Sequence, residues 1–148
     1  MTSISVALAT YNGERFLREQ LESLARQSRL PDELVVADDG STDRTLDIVR
    51  EFATSAPFKT VLLGIEGRLG YRANFMRCAQ HCSGDLIAFC DQDDVWDEDK
   101  LDVVSRCFVR EDVNFVFHDY RLIDGNGETI AFPSPDYAAW VGGCGATC

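Results

Sequence analysis

The sequence predicts an α/β fold: a mostly parallel sheet with helices on both faces, in a single domain over residues 1–148. Three observations carry this expectation. Short apolar runs alternate along the chain with segments whose apolar residues recur at helical spacing. Each apolar run gives way to a polar or glycine-containing turn, the order expected of strands joined by right-handed crossovers. Hydrophobic residues make up 45% and charged residues 26%, which places the chain among globular rather than disordered or fibrous sequences.

The elements follow in order. Ser3 to Thr10 reads as a buried strand, broken at Tyr11-Asn12-Gly13, and Leu17, Leu21 and Leu24 then share one helical face. Glu33 to Asp38 is a second strand that ends on two carboxylates. Asp39-Gly40-Ser41-Thr42-Asp43 supplies capping residues for a helix carrying Leu46, Val49 and Ala53. Lys59 to Leu63 is a third strand, and residues 64–70 form a glycine-rich flexible connection to a helix striped with Phe75, Cys78, Ala79 and Cys82. Asp85 to Cys90 is a fourth strand running into Asp91-Gln92-Asp93-Asp94. A helix from about Asp97 presents Leu101, Val104 and Phe108. Asn114 to His118 reads as a fifth strand, and Tyr120 to Ile123 and Glu128 to Phe132 as hairpin arms across Asp124-Gly125-Asn126-Gly127.

Charge narrows the function. Fourteen Lys and Arg face 25 Asp and Glu, a formal net charge of -11, so nucleic acid and anionic membrane surfaces are disfavoured partners. A small anionic ligand stays compatible where a divalent cation bridges it to carboxylates. No apolar run approaches the ~20 residues of a membrane span, and the N-terminus lacks a basic leader, so a cytoplasmic setting is expected. Cys78, Cys82, Cys90 and Cys107 fall in apolar segments as small hydrophobes; Cys144 and Cys148 lack a second pair at zinc spacing.

Parallel sheets bind ligands beyond the carboxyl ends of their strands. Thr10-Tyr11-Asn12, Asp38-Asp39, the 64–70 loop and Asp91 to Asp94 all belong to that rim. Asp91-x-Asp93 is the strongest local signal. Two carboxylates on a turn after a buried strand suit a hard divalent cation whose other ligands are water and phosphate oxygens, and three crowded acids repel one another without one. Asp97, Glu98 and Asp99 need no more than a favourable helix N-terminus. Asp39 starts a turn and also offers a carboxylate to a nucleobase imide N–H. Arg68 and Arg72 either steer phosphates or stay solvated. Asp43 is a turn and cap residue, and Asp124 to Glu128 a hairpin turn rather than a calcium loop.

Val6-Ala7-Leu8-Ala9-Thr10-Tyr11-Asn12-Gly13, Val35 to Asp43 and Phe89-Cys90-Asp91-Gln92-Asp93-Asp94-Val95-Trp96 together resemble the nucleotide-sugar half of glycosyltransferase family 2. Leu69 to Phe75 and Asp91 to Trp96 look most like its bacterial rhamnosyltransferase-type members. The resemblance implies a GT-A (Rossmann-like) fold and an inverting transfer from a nucleoside-diphosphate sugar, of UDP or dTDP type, to a saccharide or other hydroxyl acceptor. It implies nucleotide-sugar contacts from Thr10, Tyr11, Asn12, Asp39, Arg72, Asn74 and Asp91, and a Mg or Mn ion at Asp91 and Asp93. The acceptor would bring the chain to the inner face of the membrane.

Family members usually run longer, with their base carboxylate after a small-residue stretch that residues 142–147 resemble, so the expectation is a donor-binding part whose catalytic base lies beyond Cys148. Asp119 and Asp136 are the nearest unassigned carboxylates. Two rivals differ in class. A haloacid-dehalogenase-like phosphatase would use Asp91-x-Asp93 as nucleophile and acid, but carries that motif on an early strand. A non-catalytic nucleotide-sugar-binding or receiver-like module would place its acidic pair after the first strand; here the pair follows the second.

Overall fold

A computed structural model describes residues 2–109 and 112–131. The chain divides into two compact units, residues 1–106 and 107–148.

The first unit holds four parallel strands in the order β3-β2-β1-β4: β1 (Ile4–Thr10), β2 (Glu33–Asp38), β3 (Lys59–Leu62) and β4 (Leu86–Cys90). Helices α1 (Leu17–Ala25), α2 (Thr45–Ala53), α3 (Tyr71–Gln80) and α4 (Lys100–Cys107) follow the four strands in turn. β1 and β2 lie inside the sheet and are buried at every position, which explains why they read as continuous apolar runs rather than alternating ones.

Side-chain alternation splits the core in two. Val6, Leu8, Leu34 and Val36 point to one face, where Leu17, Leu21 and Leu24 of α1, Ile48 and Val49 of α2, and Trp96 and Leu101 pack on them. Ala7, Val35 and Ala37 point to the other, where small residues let α3 approach through Cys78. The buried cysteines thus behave as the hydrophobes expected of them; burial pushes the Cys78 thiol up to about 12, far from ionising at neutral pH.

The amino edge of the sheet carries a buried acid that periodicity did not single out. Glu33 is 4% exposed. Its carboxylate accepts the Ser5 hydroxyl at 2.8 Å and the Ser83 amide and hydroxyl at 2.6 and 2.8 Å, and pairs with Lys59 Nζ at 3.0 Å. Burial alone would raise its pKa, but these donors outweigh it and hold the group at about 2.

In the second unit the hairpin is present but shorter than expected, as β5 (Leu122–Ile123) and β6 (Thr129–Ala131), antiparallel. Its turn closes by Asp124 amide to Glu128 carbonyl at 2.9 Å and Gly127 amide to Asp124 carbonyl at 3.0 Å, as a hairpin turn should. The expected fifth strand, Asn114 to His118, does not form. Among the described residues it has no ladder, and Phe115 and Phe117 are 74% and 56% exposed. Asp136, Cys144, Cys148 and the small-residue stretch 142–147 lie outside the described residues.

Candidate functional site

The register of the sheet assembles the rim. Thr10 pairs with Asp38 across β1 and β2, and Leu8 with Cys90 across β1 and β4, so the turns after these three strands are neighbours. Asp38 is their structural hub. Only 1% exposed, it accepts Thr10 Oγ1 at 2.8 Å, the Gly40 and Ser41 amides at 3.0 and 2.8 Å, and Ser41 Oγ at 2.6 Å. Thr10 is itself 2% exposed, and its hydroxyl donates to Asp38.

Asn12 sits at φ 46°, a left-handed conformation that asparagine tolerates. Its amide donates to Ser41 Oγ at 2.8 Å and its Oδ1 accepts the Thr42 amide at 2.9 Å, tying the first turn to the second. Asp43 continues the seam, taking the Thr45 and Glu14 amides at 3.0 and 3.1 Å.

Asp39 faces the glycine-rich loop. Its carboxylate accepts the amides of Leu69 and Gly70, the latter at 3.0 Å, and only 5% of the residue is exposed. At the other end of the loop the Arg77 guanidinium donates to the Gly64 carbonyl and pairs with Glu66 at 3.4 Å. The connection expected to be flexible is therefore held by a side chain at each end. Gly70, at φ 84°, makes the bend that aims its amide at Asp39 before α3 begins.

The basic residues of the loop have found aromatic partners. Arg68 stands over the Tyr11 ring at 4.5 Å, while Arg72, exposed, lies over Tyr71 and donates to its hydroxyl at 3.0 Å. Asn74 lies deeper. It is 1% exposed, and its Nδ2 donates to the Ala37 carbonyl at 2.7 Å beneath the rim. Its place on the buried face of α3 makes it a brace between helix and sheet.

Asp91 and Asp93 are exposed at the end of β4. Partial burial, then the charges of Asp94 and Asp93, push the Asp91 carboxyl above its usual range, the signature of a crowded anionic turn. Lys100, the one base in the acidic stretch, stands over the Trp96 ring at 3.7 Å. Among the described residues no group of three or more His, Cys, Asp and Glu side chains converges on a point. The donor set nonetheless fits a hard cation: two exposed carboxylates leave its remaining positions to water and ligand oxygens.

Gln92, between these acids, was not singled out from the sequence, where only its position inside the turn marks it. Its Oε1 accepts the Tyr11 amide at 2.9 Å and its Nε2 donates to the Tyr11 carbonyl at 3.0 Å. A Cβ on Gly13 would stand 2.3 Å from that Oε1, so any larger residue there must displace the Gln92 amide.

The sequence profile of glycosyl transferase family 2 matches residues 5–137. Among curated relatives, the dTDP-rhamnosyl transferase RfbG of Shigella flexneri is 37% identical over 111 residues, 72% of this chain and 38% of RfbG. Among solved structures, S. aureus TarS 1–349 in complex with UDP is 32% identical with a TM-score of 0.61, covering 70% of this chain and 31% of TarS. The mannosyltransferase PcManGT of Pyrobaculum calidifontis, in complex with GDP-Man and Mn2+, is 28% identical with a TM-score of 0.62, covering 68% of this chain and 30% of that one. This chain spans 39% and 57% of two further curated relatives, alr2836 of Nostoc and WfgD of Escherichia coli. A four-stranded parallel sheet with helices on both faces, the acid turn after β4 and a family match over nearly the whole chain agree: the protein belongs to glycosyltransferase family 2 and has its GT-A fold.

Proposed function

We propose that the rim binds a nucleoside-diphosphate sugar of UDP or dTDP type, as the donor half of an inverting transferase acting on a saccharide or other hydroxyl acceptor. The crowded acid turn carries this reading. Asp91 and Asp93 are exposed, mutually repelling and set beside the turns of β1 and β2, so a diphosphate can approach them only with a divalent cation between. When bound there, Mg or Mn would offset the charge that gathers on the departing nucleoside diphosphate. Tyr11, half-buried at the same rim, offers a ring face to the base, and Asp39 an acceptor to its imide N–H. Arg72, exposed at the start of α3 and resting on the Tyr71 ring, suits the phosphates. Thr10, Asn12 and Asn74 shape the rim from behind.

UDP bound to TarS and Mn2+ with GDP-Man bound to PcManGT support a nucleotide and a metal at this fold's rim. RfbG supports a rhamnosyl donor as the first to test. The phosphatase alternative loses its footing with the acid turn on the fourth strand and the family match. No helix among the described residues is long and apolar enough to cross a membrane. On this reading the acceptor lies at the inner face of the membrane.

The test is calorimetric. UDP and dTDP should bind more tightly with Mn2+ or Mg2+ present, and Asp93→Asn should abolish that increment while leaving the folding stability within about 0.5 kcal/mol of the parent, as an exposed substitution does. Equal affinities for parent and variant across a metal titration would remove Asp93 from the metal site.

A further inference from the structure

We propose that Gln92 is a positioning residue that couples the two halves of the donor site, making cation binding at the acid turn and base binding at Tyr11 mutually dependent. The inference rests on the donor-site reading above. Its physical basis is the reciprocal pair of hydrogen bonds, 2.9 Å to the Tyr11 amide and 3.0 Å from Gln92 Nε2 to the Tyr11 carbonyl. The primary amide presents an acceptor and a donor side by side, as a peptide unit does. It therefore grips both backbone groups of one residue and fixes the stretch of chain from which the Tyr11 ring projects.

The register ladder of β1 and β4 ends at Leu8 and Cys90, so beyond that point backbone pairing no longer fixes the two turns against each other. Gln92 takes over that task from the middle of Asp91-x-Asp93. A shift of the acid turn on cation binding must be transmitted to Tyr11, because Gln92 cannot move without breaking two hydrogen bonds. The reverse holds equally: seating a base on Tyr11 restrains the acid turn. The first turn has been cut to fit, since a Cβ on Gly13 would lie 2.3 Å from Oε1 and 2.6 Å from Cδ of Gln92. Glycine leaves the room that the amide needs.

The experiment measures coupling and not affinity alone. Mn2+ is titrated into the protein with and without saturating uridine, which carries the base and ribose but no phosphate, and free Mn2+ is followed by its electron-spin resonance signal. In the parent, uridine should raise Mn2+ affinity about fivefold or more, the lower end of typical coupling between sites. Gln92→Met keeps the length and bulk of the side chain but loses both hydrogen bonds, and should bring the factor to one. Gly13→Ala displaces the same amide by a change in the first turn, leaving Asp91, Gln92 and Asp93 unsubstituted, and should do likewise.

Thermal unfolding of each variant separates lost coupling from lost folding: a variant that melts with the parent and still shows the parent's factor overturns the proposal. A parent that gains UDP affinity from Mn2+ but whose Mn2+ affinity ignores uridine overturns it too, and leaves the donor-site reading standing. A parent with no Mn2+-dependent UDP binding overturns that reading and the proposal with it.

Discussion

Replacing Glu33 by alanine is expected to cost about 3 kcal/mol of folding stability, a large part of what a domain of this size has. The side chain is almost wholly buried and is surrounded by donors: the Ser83 amide, the Ser5 and Ser83 hydroxyls and the Lys59 ammonium. Alanine would leave the buried Ser5 hydroxyl without its acceptor, at a cost of about 1–3 kcal/mol where water cannot replace it, while the exposed Ser83 and Lys59 lose a charged partner. The depressed pKa leads to the same figure. A carboxylate held at about 2 in the folded protein, against 4.5 ordinarily, stabilises that state by about 3 kcal/mol at neutral pH.

The sign is set by the depression. This contribution is complete above pH 4.5 and is lost as pH falls from there through about 2, because the unfolded chain takes up the proton first. Urea unfolding of parent and Glu33→Ala at neutral pH and near pH 3 should show a wide gap that narrows in acid. Coincident midpoints at neutral pH would mean that the four donors find water as readily as they find Glu33.

Asp39→Ala is expected to cost UDP and dTDP tenfold or more in affinity, and to cost CDP less. A hydrogen bond to a charged acceptor contributes about 1.5–3 kcal/mol, and uracil and thymine present an imide N–H where cytosine presents an acceptor. Asp39 has a second role, since its carboxylate holds the Leu69 and Gly70 amides. Loss of that hold would loosen the loop and lower affinity for every nucleotide alike. The ratio of UDP to CDP affinity separates the two roles. Calorimetry on parent and variant that shows a fall in both nucleotides with an unchanged ratio leaves Asp39 as a loop anchor and removes it from base recognition.

The order of strands and helices was legible because each β-run is short, apolar and followed by a turn, and each helix repeats its apolar residues on one face. β1 to β4 and α1 to α4 lie where those patterns put them. The fifth strand was not legible because the apolar run Phe115-Val116-Phe117 describes a side-chain pattern, while a strand exists only where another strand pairs with it. The rim was legible as a set of loops but not in its division of labour. Thr10 and Asn74 are buried and bonded to Asp38 and the Ala37 carbonyl, while the exposed Asn12 accepts the Thr42 amide, and such long-range bonds leave no mark in local spacing. Gln92 escaped notice for a related reason. Its partner lies 81 residues away in sequence, and no local spacing encodes a side chain that bonds a distant backbone.

The strand order β3-β2-β1-β4 has a kinetic consequence. β1 meets β2 after a separation of 28 residues but meets β4 only across 82, as the Ile4–Leu86 and Ser5–Glu33 pairs show. Closing the longer loop costs about 1 kcal/mol more chain entropy than the shorter one, on logarithmic scaling with length. The β1–β2–β3 layer, with α1 and α2, can nucleate while β4 is still searching, and on a ribosome it can do so before β4 has been made. Pulse labelling of backbone amides during refolding should then protect β2 ahead of β4. The acid turn joins Tyr11 only at that final docking, so a chain that stalls one strand short is compact and yet blind to its ligand.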